Sequence, residues 1–155
     1  MVGTKDPALK FAGLDEAALA DLAARVAAVL APGDVVVLSG EVGAGKTTFV
    51  RAAARTLGVG ERVTSPTYQF ARGYEAEVRG RPLTVNHLDL YRLEGIEAPD
   101  VLEIDDYLGE DAVTFIEWAE PALGVLKRPT VVELDHETPG TRRVTVTGPV
   151  AGRLC

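Results

Sequence analysis

The chain has 155 residues and a formal net charge of −7, with 46% hydrophobic and 25% charged residues. That length suits one domain with one substantial core, and that composition is ordinary for a globular protein rather than a disordered or fibrous one. No apolar run is long enough to span a membrane, and the acidic balance argues against strong independent nucleic-acid binding, which needs a basic face.

In chain order, residues 1–13 are polar and irregular and are expected to form a flexible arm ahead of a single domain over 14–150. They lack the ordered regions of a signal peptide, and the single cysteine, Cys155, is the last residue. Both features fit a reducing, cytoplasmic location. Asp15 is the expected N-cap of a helix with Leu19, Leu22, Val26, Val29 and Leu30 on one face, ending before Pro32-Gly33. Asp34–Leu38 follows as a strand apolar on both faces. After a glycine-rich turn, Phe49, Val50, Ala53 and Leu57 fall at helical spacing, and Gly58 is the stop signal.

Thr64-Ser65-Pro66-Thr67 is a loop with three hydroxyls around a proline. Residues 68–74 and 83–90 read as strands joined through Gly80, a hairpin that adds antiparallel strands to a parallel sheet. The acidic stretch 94–110 holds a short helix after Pro99 and leaves it at Tyr107-Leu108-Gly109. Ala112–Ile116 is a second buried-type strand ending at Glu117-Trp118, followed by a short helix over 119–123. Strands at 130–134 and 143–147 are joined by the turn 138–141; Arg142 and Arg143 read as solvated strand or turn residues. The expected fold is α/β: three layers around a mixed, mainly parallel central sheet with antiparallel hairpin additions, of the P-loop NTPase type because residues 40–47 read G-x-x-x-x-G-K-[ST].

Gly40 to Thr47 fits G-x-x-x-x-G-K-[ST], the phosphate-binding loop. Glycines at 40, 43 and 45 let successive N–H groups point into one concavity at a helix N-terminus, where the free donors and the dipole favour an anion. The expected contacts run through Gly40, Glu41, Val42, Gly43, Ala44, Gly45, Lys46, Thr47 and Thr48. Lys46 would reach the β- and γ-phosphates, and the Thr47 hydroxyl would ligate Mg²⁺.

Phosphoryl transfer also needs a carboxylate near Mg²⁺ and a group that positions water. Two strands end in acids, at Asp89 and at Glu117. Glu117 has the cleaner apolar run before it, whereas Asp89 has the shorter side chain that suits a metal. The pattern alone leaves open which is the direct ligand. His87 shares a strand face with Asp89 and reads as a packed, hydrogen-bonded histidine. Trp118 reads as a core or pocket-wall aromatic, and Thr67 as either a backbone-capping hydroxyl or a contact to Mg²⁺ or the γ-phosphate.

Taken together, Gly-Glu-Val-Gly-Ala-Gly-Lys-Thr-Thr (40–48), Thr-Ser-Pro-Thr-Tyr (64–68), His-Leu-Asp-Leu-Tyr-Arg (87–92) and Glu-Trp (117–118) resemble the bacterial TsaE family in order and spacing. The resemblance covers about residues 15–135; Glu41 stands where the family commonly has Asp. It implies a small P-loop ATPase required for threonylcarbamoyladenosine formation on tRNA, one that uses ATP to reset a complex of TsaB and TsaD. It further implies Lys46 on the phosphates, Thr47 and Asp89 at Mg²⁺, Glu117 in the hydrolytic site and Thr67 in a nucleotide-sensing loop. Contact with tRNA would be indirect.

The alternatives are a small-molecule P-loop kinase and a GTPase switch protein. A kinase usually carries an arginine-bearing lid, and no Arg-rich insertion interrupts this chain. Asp106-Tyr107-Leu108-Gly109 fits D-x-x-G, but the near-match to the guanine-reading motif at 86–89 comes before it, which is the wrong order. No arginine finger is evident: Arg51 lies inside the loop's helix and Arg92 follows Asp89 closely. A site short of one stabilising charge predicts a weak ATPase stimulated by its partners.

Overall fold

The computed structural model describes residues 8–41, 43–63, 71–78, 80–90, 107–118 and 126–154. Seven strands form one sheet. In chain order they are β1 (Leu9–Leu14), β2 (Val35–Ser39), β3 (Ala71–Val78), β4 (Arg81–Asp89), β5 (Ala112–Glu117), β6 (Thr130–Thr138) and β7 (Thr141–Thr147). The helices are α1 (Glu16–Ala28), α2 (Lys46–Thr56) and α3 (Pro149–Leu154).

The spatial order is β1-β7-β6-β2-β5-β4-β3. The central strands β6, β2, β5 and β4 are parallel neighbours, and antiparallel pairings flank them: β7 and β1 on one side, β3 on the other. This is the mixed, mainly parallel α/β sheet with hairpin additions expected from the sequence.

Burial follows the pleat. Val36 and Leu38 of β2 point into a large cluster with Leu22 and Val26 of α1 and Phe49 and Ala53 of α2. Val37 points to the opposite face, where a second cluster forms with Leu88 and Ile116 and is packed by Tyr107, Leu108 and Leu126. A strand apolar at successive positions is therefore covered on both faces. The side chain of Asp15 caps α1 by accepting from the Ala18 N–H at 2.8 Å, which satisfies one of the helix's unpaired donors. Among the described residues, no helix is long and apolar enough to cross a membrane.

The N-terminal arm needs correction. Residues 9–14 form β1, paired antiparallel with β7 rather than loose. Their pattern is shallow because β1 is an edge strand with Leu9, Phe11 and Leu14 only half-buried. Among the described residues β1 begins before position 14 and α3 ends after position 150. The expected helix over 119–123, most of the one after Pro99, and the 64–68 loop lie outside the described residues.

Candidate functional site at the carboxyl edge of the sheet

Strand register brings the chemistry together. Leu38 of β2 pairs with Glu117 of β5, and Glu117 pairs with Asp89 of β4. Three parallel strands thus end at one level, and the two acids sit side by side next to the turn that leaves β2. Ligands of α/β sheets bind at this carboxyl edge.

In the turn from β2 into α2, three glycines have positive φ, and two of them also meet neighbouring elements. Gly40 has φ 142°, and a Cβ there would run into the Leu134 carbonyl oxygen of β6. Gly45, the N-cap of α2, has φ 104°, and its Cβ would come within 2.7 Å of Leu19 Cδ2 on α1. At Gly40 the backbone of β6 leaves no room for a side chain, and at Gly45 the left-handed backbone is what disfavours one. The N-cap Gly45 offers no side chain to cap α2, and the helix's N-terminus with the positive end of its dipole borders the cavity outside.

That cavity measures about 360 Å³ and is lined by Gly43, Gly45, Lys46, Thr47, Thr48, Asp89, Glu117 and Trp118. Lys46 is 6% exposed. Its Nζ donates to the Gly40 carbonyl oxygen at 2.6 Å and lies 4.2 Å from the centroid of the Trp118 ring. Trp118 holds this pose with φ 56°, a left-handed conformation unusual for a bulky residue. Opposite, Glu117 Oε2 lies 2.6 Å from Nε2 of His87, which is fully buried. Among the described residues His87 Nδ1 has no hydrogen-bond partner, and the ring's one contact is with Glu117.

The remaining expected residues are placed as follows. Glu41 accepts from the Ala44 N–H at 3.0 Å, closing the loop on itself, and Ala44 is buried. Val42, Thr67 and Arg92 lie outside the described residues. Arg51 Nε donates to the Val63 carbonyl at 3.0 Å and so holds the chain just ahead of the 64–68 loop.

Arg142 departs from the solvated strand residue the sequence suggests. Its Nε donates to the Ala44 carbonyl and its Nη2 to the Gly43 carbonyl, both at 3.1 Å. No local pattern announces this contact, which joins positions 98 and 99 residues apart. A second cavity, of about 290 Å³, lies beside the first; it shares Gly43, Gly45 and Thr48 with it and is closed by Leu14, Pro139 and Arg142.

Residues 14–144 match the family model for the threonylcarbamoyl adenosine biosynthesis protein TsaE. The tRNA threonylcarbamoyladenosine biosynthesis protein TsaE of Streptomyces coelicolor is 40% identical over 134 residues, covering 83% of this chain and 88% of its own length. The TsaE of Bacillus subtilis is 41% identical over 98 residues, which are 63% of this chain and 58% of that protein. Among solved structures, Bacillus subtilis YdiB superposes with a TM-score of 0.73 at 28% identity, covering 92% of this chain and 86% of that one.

Proposed function

The chain belongs to the TsaE family, and from that membership we propose that it is an ATP-binding, ATP-hydrolysing accessory protein in threonylcarbamoyladenosine modification of tRNA, acting on a complex of TsaB and TsaD homologues. The observation that carries the reading is the single cavity into which Lys46, Thr47, Asp89 and Glu117 all open at the N-terminus of α2.

The donor set fits a nucleotide with Mg²⁺. Uncapped N–H groups and an ammonium suit phosphate oxygens. One hydroxyl and one short carboxylate suit a hard cation that is commonly held through one or two carboxylates together with substrate phosphates. Thr47 and Asp89 would hold that ion, which when bound neutralises charge on the phosphates. The second cavity, beyond Thr48, is where we place the nucleoside.

The chain's own residues then divide the work. Lys46 leaves the Gly40 carbonyl for the phosphates. Trp118 forms the wall that keeps the ammonium close to the loop. Glu117, fixed by His87, accepts a hydrogen bond from the attacking water and orients it. No described arginine lines this cavity, so turnover by the isolated protein is slow and the assembled complex completes the site.

Titration of the purified protein with Mg-ATP and Mg-GTP, by calorimetry, tests the first step. Preferential ATP binding that disappears in Lys46→Ala is expected. A folded wild-type protein that binds neither nucleotide ends this reading.

A further inference from the structure

We infer that Arg142 is a positioning residue for the phosphate site: it reaches across from the β6–β7 hairpin and locks the glycine-rich loop by its carbonyls, so that the loop's N–H groups are held ready for phosphate. The inference rests on the nucleotide reading above and adds a residue to it.

The first ground is geometry. One guanidinium donates to two consecutive loop carbonyls, those of Gly43 and Ala44. Its Nη1 donates to the Thr141 carbonyl at 3.0 Å and approaches that of Thr138 at 3.4 Å. The planar fork thus staples the loop to the hairpin turn. In a trans peptide the carbonyl and the following N–H point in opposite directions. Fixing the Ala44 carbonyl on Arg142 therefore turns the Gly45 N–H away from Arg142. A rigid loop carries its donors into binding without losing further conformational freedom.

The second ground is the backbone around Arg142. In the pairing of β1 with β7, the register shifts between Phe11 and Leu14, and Leu14 is the residue opposite Arg142. In the pairing of β6 with β7, the register shifts between His136 and Thr138, and His136 is opposite Arg142. Both neighbours of one strand are irregular at the same level. The two irregularities are tied together, because the Gly13 N–H donates to Glu137 Oε2 at 3.2 Å. Bulges re-aim a side chain that a regular strand would direct elsewhere.

The arginine does not act as a charge on the transferring phosphate. It is absent from the lining of the cavity that holds Lys46, Asp89 and Glu117, and it lines the adjoining one. Its effect passes through the loop.

The test compares wild type, Arg142→Gln and Arg142→Lys in calorimetric binding of Mg-ATP and of Mg-tripolyphosphate, which has no nucleoside. Amide exchange at residues 43–45 is followed alongside. Losing two charge-assisted hydrogen bonds to the loop should weaken both ligands about tenfold in Arg142→Gln. Arg142→Lys, which reaches one carbonyl, should fall between. Exchange of the loop amides should rise while that of the central strands stays unchanged. Equal affinities in wild type and Arg142→Gln overturn the inference; so does a loss confined to ATP, which would assign the arginine to the nucleoside cavity. If Lys46→Ala loses both ligands and Arg142→Gln keeps them, the nucleotide reading stands and the arginine falls alone. A wild type that binds neither ligand overturns both. If Arg142→Gln does not fold, Arg142→Lys, which keeps charge and stem, carries the comparison.

Discussion

His87 Nε2 and Glu117 Oε2 lie 2.6 Å apart on neighbouring parallel strands, both shielded from water. The contact is the histidine's only hydrogen bond among the described residues, because Nδ1 has none. A buried imidazole with one partner fixes where that partner points. His87→Ala would leave the Glu117 carboxylate without this donor, costing about 1–3 kcal/mol of stability. ATP turnover should fall while Mg-ATP affinity changes little, and His87→Gln should recover part of the rate. An equal loss of affinity in both variants would assign the pair to the fold alone.

Lys46→Ala should lose productive Mg-ATP binding and keep the fold. In the free protein the ammonium is held by one carbonyl and one aromatic ring. With nucleotide it would make charge-assisted bonds worth about 1.5–3 kcal/mol, roughly a 10- to 100-fold change in affinity. Calorimetry on the folded variant reads this directly. Unchanged affinity would remove the lysine from the phosphate site.

The two strand-end acids should separate by experiment. Asp89→Ala removes charge from the proposed metal shell and should weaken nucleotide binding only when Mg²⁺ is present. Glu117→Gln is the informative partner, because an amide oxygen still accepts from His87 and keeps that buried N–H paired. It should bind Mg-ATP and hydrolyse it poorly. Binding curves with and without Mg²⁺, set beside single-turnover rates, distinguish the roles; a reversed pattern exchanges them.

Gly45→Ala should destabilise the protein by about 1–2 kcal/mol, chiefly by putting a side chain on a left-handed residue. Urea denaturation measures the loss.

Hydrolysis by the isolated protein should be slow and should rise when TsaB and TsaD homologues are added. ATP turnover with and without that complex, and modified tRNA formed per complex over time, are the measurements. Rapid turnover that the partners leave unaltered would contradict the role proposed.

Much of this is legible in the sequence. The loop at 40–48, the buried strands before it and before Glu117, and the acids at 89 and 117 are local patterns, and the parallel register converts them into one cavity. β1 was not legible, because an edge strand covered on one side shows only a half-hearted alternation and takes its meaning from β7, more than a hundred residues away. Arg142 was hidden for the same reason. A lone arginine after a turn resembles any solvated residue until the fold supplies the carbonyls it holds. The pairing of His87 with Glu117 needed the relative register of two strands, which neither strand's pattern contains.

The place of β1 bears on how this protein can be handled. Residues 14–144 are those the family model matches, so a shortened version cut at Asp15 would look harmless on paper. It would strip the outermost strand from β7 and leave a row of open backbone donors and acceptors beside Val144 and Val146. Such an open row templates pairing with other chains. Trimming would also remove Leu14, which closes the second cavity, and Gly13, whose N–H ties the two irregular stretches together. The short, irregular leading strand therefore covers the regular edge of β7 while bracing the hairpin behind the loop, and a trimmed protein should be judged by light scattering before its silence in an activity assay is believed.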